Sequence, residues 1–291
     1  MVELLLEPFS YNYMQKAIFV SMAVGVVCAF LSAFLMLKGW SLIGDALSHA
    51  VVPGVAIAYV FKLPYAFGAF FSGILAALSI LWVKSLTKIR EDAVIGFIFT
   101  TFFALGMFIV SLNPTSVDVN GIIMGNILGI ADDDLGQVSL IIGISLVGLL
   151  IFWKGLLLVF FDENHAISVG LSPLRYKILF FTLLSACVVV ALQTVGAILV
   201  IAMVVTPGAT AYLLTDKFSH LVWIAVLIGS LTSGVGAYIS YFLNGATGGV
   251  IVSLQTLIFL IAFIFAPKYG LLSQRVGRQK QPINTKEVTN G

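Results

Sequence analysis

The sequence predicts an all-α polytopic bundle of eight or nine transmembrane helices, and three observations predict it. Only 10% of the 291 residues are charged and 60% are hydrophobic, whereas soluble domains carry about 25% charged residues. The apolar residues come in runs close to the ~20 residues that cross a hydrocarbon core, without the alternating pattern of barrel strands. Lys and Arg gather in alternate connecting segments, as in a chain that weaves through a bilayer. Backbone groups in lipid must be satisfied within the span, so with a barrel excluded only helices remain.

Nine runs fit, at 15–37, 42–61, 64–83, 93–112, 137–160, 177–195, 196–214, 219–243 and 249–266. The sixth and seventh are separated only by Val195-Gly196, and the second opens on polar residues. Eight spans plus a broken helix is therefore the alternative count. Residues 1–14 form an extracytoplasmic segment whose Glu3 and Glu7, with no preceding Lys or Arg, do not resemble a cleaved signal peptide. Residues 15–267 are the transmembrane domain, with a cytoplasmic loop at 162–177. The polar tail 268–291 reads as a disordered cytoplasmic end.

With the 38–41 junction, the loops at 84–90, 162–177 and 215–218, and the tail inside, thirteen of fifteen basic residues lie on the cytoplasmic side, counting Lys154 near the inner end of its span. Only Lys16 and Lys62 fall outside, and nine spans then put the N-terminus outside and the C-terminus inside. Twelve of thirteen acids lie in loops or termini; Asp45 alone lies at or within a span. His165 and His220 sit in or beside cytoplasmic loops, which leaves His49 as the intramembrane histidine.

Asp45 and His49 are four residues apart, so on a helix they share a face with Cβ atoms about 5–6 Å apart. An ionisable side chain at membrane depth costs about 2.5–3.5 kcal/mol and normally faces a cavity or a partner. Carboxylate oxygen with imidazole nitrogen suits Mn(II), Fe(II) or Zn(II), and the lack of a nearby thiolate disfavours Cu(I). The same residues also allow a structural pair, with Asp45 as a helix N-cap and His49 bonded to it. On the residues alone both readings stand. Two ligands hold a metal weakly, but a two-fold dimer brings two Asp and two His together, and a transported ion must also be able to leave. Ala50, Pro53, Gly54, Ala56 and Ala58 permit close helix approach around the pair, and Pro53 removes a helix hydrogen bond.

Two further stretches stand out. In "FFDENHAISVGLSPLRYK", residues 160–177, a short amphipathic stretch from Glu163 to Val169 is closed by Gly170 as a C-cap, and Pro173 restarts the chain. It is either a helix that docks on a cytosolic partner or a plain connector. In "VGAILVIAMVVTPGATAYLLTD", residues 195–216, Thr206, Pro207 and Gly208 interrupt an apolar helix as a hinge or a static kink. Asp132–Asp134 on the outer side draw cations or are simply solvated. Cys28 and Cys187 carry no motif spacing and read as small core residues.

Several function classes are excluded. No basic block suits nucleic acid, and without a GxxxxGK(S/T) stretch the chain does not bind ATP through a P-loop. No HExxH, GxSxG or second intramembrane carboxylate builds a catalytic site.

"LKGWSLIGDALSHAVVPGVAIAY" resembles the signature of the permease subunits of bacterial manganese/iron/zinc ABC importers, the ABC-3 family. "FDENHAISVGLSPLRYK" is similar to that family's coupling-helix region and "VGAILVIAMVVTPGATA" to its late helix, so the resemblance covers about residues 15–270. It implies a type II ABC-importer-like permease in the bacterial cytoplasmic membrane, importing a divalent metal by alternating access. It also implies a second permease copy or paralogue, two cytosolic ATPase subunits that hold the ATP, an extracytoplasmic metal-binding protein, and no permanently bound cofactor. By the same resemblance Asp45 and His49 handle the metal, and Asp162, Glu163, Ala166 and Gly170 receive the ATPase's stroke. Pro53 looks more like the manganese/iron branch than the zinc branch. The competing reading is an ion-gradient-driven cation transporter or channel, which would normally carry more intramembrane ionisable groups. A membrane metalloenzyme would need a third ligand and a general base that the sequence lacks.

Overall fold

A computed structural model describes residues 2–112, 132–267 and 269–271, and among these the chain forms twelve helices and no strand. They are α1 (Val2–Ser10), α2 (Asn12–Lys38), α3 (Ser41–Ala50), α4 (Val52–Val60), α5 (Tyr65–Leu86) and α6 (Glu91–Leu112). After the undescribed stretch come α7 (Asp132–Phe161), α8 (Glu163–Ser168), α9 (Pro173–Val195), α10 (Ala197–Leu214), α11 (Phe218–Leu243) and α12 (Thr247–Phe265). Eight helical stretches are long and apolar enough to cross a membrane, counting α3 and α4 as one; α10 supplies a shorter ninth. Eight spans and a ninth run are thus both present, and the count turns on what α10 does.

The second expected run is the broken one, since α3 stops at Ala50 and α4 starts at Val52. The sixth and seventh runs are likewise separate helices. They meet at Gly196, whose φ of 91° and ψ of 158° put it in a backbone region essentially restricted to glycine. The N-terminal segment carries the helix α1, and apart from 269–271 the tail lies outside the described residues. The acids Asp132–Asp134 open α7.

α2 is the axis of the bundle. It is the most buried span, while α6 and α12 expose most of their surface. Its small residues explain the fit. A Cβ on Gly25 would come within 2.5 Å of the Gly229 carbonyl oxygen of α11, so the two helices touch backbone to backbone. Without a hydrophobic drive between helices in lipid, such contact is what dispersion packing exploits. At its C-terminal end α2 closes on Gly39 at φ 73°, whose amide donates to Met36 O while that of Trp40 donates to Leu35 O. Phe34 nearby anchors an aromatic core with Phe160, Phe180 and Phe218, at centroid distances of 5.9, 6.1 and 4.9 Å.

Candidate metal-handling site

α3 begins at Ser41 with Trp40 in the N-cap position, so Asp45 lies inside the helix and does not cap it. That removes the N-cap reading of the carboxylate. Asp45 and His49 do meet, with His49 Nε2 3.4 Å from Asp45 Oδ1 and the side chains 27% and 38% exposed for His and Asp. Behind them Ser48 is buried, and its hydroxyl lies 2.9 Å from both the Gly44 and the Asp45 carbonyl oxygens. The apolar face of α3 (Ile43, Leu47, Ala50) is buried in the bundle, which turns the two polar residues outward.

Two neighbours set the walls. α6 presents Phe99 and Phe103, one helical turn apart, with ring centroids 5.4 and 5.6 Å from the His49 imidazole. α10 lies against Gly44, where a Cβ would come 3.1 Å from Val204 Cγ1. Among the described residues, no group of three or more His, Cys, Asp or Glu side chains could hold a metal ion. One chain therefore contributes two donors and a partly open face. A carboxylate and an imidazole left facing hydrocarbon would be costly, so the face needs a polar cavity or a second protein surface over it.

Pro53 and Gly54 sit just beyond the pair. Pro53 occupies the first turn of α4, a position that tolerates its missing N–H. A Cβ on Gly54 would overlap the Gly68 carbonyl of α5, and one on Gly68 would overlap the Gly54 carbonyl. The interruption in the helix frees the Ala50 carbonyl, and Ser72 of α5 donates to it at 2.6 Å. Pro207 and Gly208 lie within α10, which continues through them. Ser32 of α2 serves the backbone at this step, donating to Val205 O at 3.0 Å and accepting from the Gly208 amide at 2.9 Å.

The other residues singled out in the sequence gather at the far end of α7. Asp162 caps α8, its Oδ1 accepting from the His165 amide at 3.0 Å. Glu163 is held by Lys177 Nζ, 2.8 Å from each carboxylate oxygen. Ala166 is fully buried, and the chain turns at Gly170 with φ 86°, one residue after the C-cap Val169. Ile167 and Val169 stay exposed on the outer side of this short helix.

Sequence reasoning missed Ser32, Ser72, Gly68, Phe99 and Phe103. Serine and glycine abound in membrane helices and the α6 stretch is rich in phenylalanine, so nothing in the order of residues marks these five.

The match to known proteins covers nearly the whole chain. The model of the ABC 3 transport family matches residues 10–266. A "Probable iron transport system membrane protein" of Haemophilus influenzae is 76% identical over 94% of this chain and 97% of its own length. The "Manganese transport system membrane protein MntB" of Synechocystis sp. is 48% identical over 96% of this chain and 91% of its own. Among solved structures, "PsaBC from Streptococcus pneumoniae in complex with Fab" superposes with a TM-score of 0.83 at 35% identity, covering 94% of this chain and 100% of that one. With an all-helical, multi-pass architecture and a family match over residues 10–266, the chain belongs to the ABC 3 transport family, as a membrane-spanning permease.

Proposed function

We propose that this chain is the translocation subunit of an ATP-driven importer that moves Mn(II) and/or Fe(II) into the cytoplasm by alternating access. The donor set also suits Zn(II). The observation that carries the reading is the Asp45–His49 pair: two hard-to-borderline donors 3.4 Å apart, part-exposed on a membrane helix, with no third ligand among the described residues. A second permease copy or paralogue across a two-fold axis would double the donors to two Asp and two His. Such a four-donor site can hold an ion in transit without trapping it, as conduction requires. The iron and manganese named for the relatives agree with that donor chemistry.

ATP is hydrolysed on partner ATPase subunits. These dock against α8, whose exposed Ile167 and Val169 offer an apolar ridge while the Lys177–Glu163 pair and the Asp162 cap fix its base. An extracytoplasmic metal-binding protein delivers the ion at the opposite face, with the N-terminus outside and the C-terminus inside.

The test is uptake of radiolabelled Mn(II), Fe(II) and Zn(II) into vesicles carrying the permease with its ATPase. Asp45→Ala and His49→Ala each reduce uptake to background while assembly and membrane insertion stay intact. Normal uptake in both variants would sink the site, and uptake that needs no ATPase would sink the ATP-driven reading.

A further inference from the structure

Five helices meet around one side chain, and it belongs to neither the Asp45–His49 pair nor the short helix α8. Trp40 fills the two-residue turn between α2 and α3 and is 6% exposed. Its indole ring stacks on Phe181 of α9 at 5.5 Å and 19°, and meets Phe160 of α7 edge-on at 5.4 Å. Its Nε1–H donates to Oε2 of Glu91, the first residue of α6. The other Glu91 oxygen lies 3.6 Å from Lys84 Nζ at the end of α5, and Lys84 also donates to Ile89 O at 3.1 Å.

The positions of these groups give the cluster a mechanical meaning. Phe160 is two residues from Asp162, the cap of α8, so a displacement of α8 reaches the indole through one ring contact. From Trp40 the chain runs directly into α3, and Asp45 follows five residues on, about 7.5 Å along the axis at the α-helical rise. From Glu91, α6 runs to Phe99 and Phe103, the two rings against His49. The Trp40–Glu91 hydrogen bond therefore ties together the starts of the two helices that supply the donors and their wall.

We infer that Trp40 and Glu91 form a latch that makes α3 and α6 move as one body when α8 is displaced, so that ATP hydrolysis is converted into rearrangement at Asp45 and His49. Both are positioning residues. The inference rests on the ATP-driven reading proposed above. A purely structural aromatic cluster would support folding but would not set the ratio of metal moved to ATP hydrolysed.

The experiment uses the assembled complex of permease and ATPase in proteoliposomes, with radiolabelled Mn(II) uptake and ATP hydrolysis measured in the same vesicles. Trp40→Phe keeps an aromatic ring and removes the donor; Glu91→Ala removes the acceptor from the half-exposed side; Glu91→Gln keeps an acceptor and loses the charge. Each of the first two lowers uptake per ATP about tenfold, the weight of one hydrogen bond to a charged group, with the hydrolysis rate unchanged. Glu91→Gln restores coupling, and the Trp40→Phe/Glu91→Ala double variant falls no further than either single one. The latch is overturned if uptake and hydrolysis fall by the same factor in both single variants, or if the two losses multiply. Absence of ATP-dependent uptake in the wild-type complex would instead overturn the functional reading, and the latch with it.

Discussion

The dipeptide Pro-Gly occurs in two membrane helices of this chain, at 53–54 and at 207–208, with opposite results. At the first, the helix splits into α3 and α4; at the second, α10 runs straight through. Both prolines remove one backbone donor, and both sites are served by a serine from a neighbouring helix. What differs is the job each serine does. Ser72 only donates, to the orphaned Ala50 carbonyl, whereas Ser32 both donates to Val205 O and accepts from the Gly208 amide. A hydroxyl that serves both a carbonyl and an amide at the Pro-Gly step keeps α10 continuous. A hydroxyl that serves one carbonyl leaves the second span in two helices. The split follows Ala50, so the one-sided repair sits beside the Asp45–His49 pair.

The comparison can be broken at its packing first. Gly54→Val drives a side chain into the Gly68 backbone, which cannot move aside as a flexible side chain would. A loss of at least ~3 kcal/mol, at the upper end of overpacking costs, is expected as a lowered melting temperature in detergent. Wild-type stability in that variant would show that α4 and α5 separate freely. Ser32→Ala leaves a buried amide and a carbonyl unserved and should cost ~1–3 kcal/mol. Pro53→Ala restores a donor at position 53, so α3 and α4 should join and amide exchange over residues 52–55 should slow about tenfold, the effect of one added helical hydrogen bond. Unchanged exchange would mean that packing against Gly68 of α5, and not the missing N–H, splits the helix. Ser72→Ala should be the mildest, at ~0.6 kcal/mol, the average for a side-chain hydrogen bond between membrane helices. If Ser72→Ala costs more than Ser32→Ala in the same unfolding assay, the distinction between one-sided and two-sided repair is wrong.

Much of the site was legible in the order of residues because charge is so scarce here. With 10% charged residues, one carboxylate and one imidazole inside the spans stand out by subtraction. The short helix α8 was equally readable, since the positive-φ Gly170 that closes it is a local requirement, although the cap at its other end, Asp162, was not read as one. The expected helix ends lie within a few residues of the observed ones, because hydropathy changes at the membrane boundary and capping does not sharpen it. The N-cap reading of Asp45 failed for a related reason: α3 starts four residues earlier, at the polar "WS" step, where the chain has to leave the Gly39 turn.

By itself, then, the sequence determined the class of fold, the lengths of the spans, the placing of Lys and Arg between them, and the identity of the polar pair. These depend on composition and on periodicities of a few residues, both of which a single strand of text carries. Only the tertiary structure decided which Pro-Gly step would split a helix, which rings would close on His49, and that Trp40 would join Glu91 from 51 residues away. Each of those outcomes hangs on a group contributed by another helix, and in a medium that is apolar on every side the pattern of one helix does not encode which neighbour it will meet.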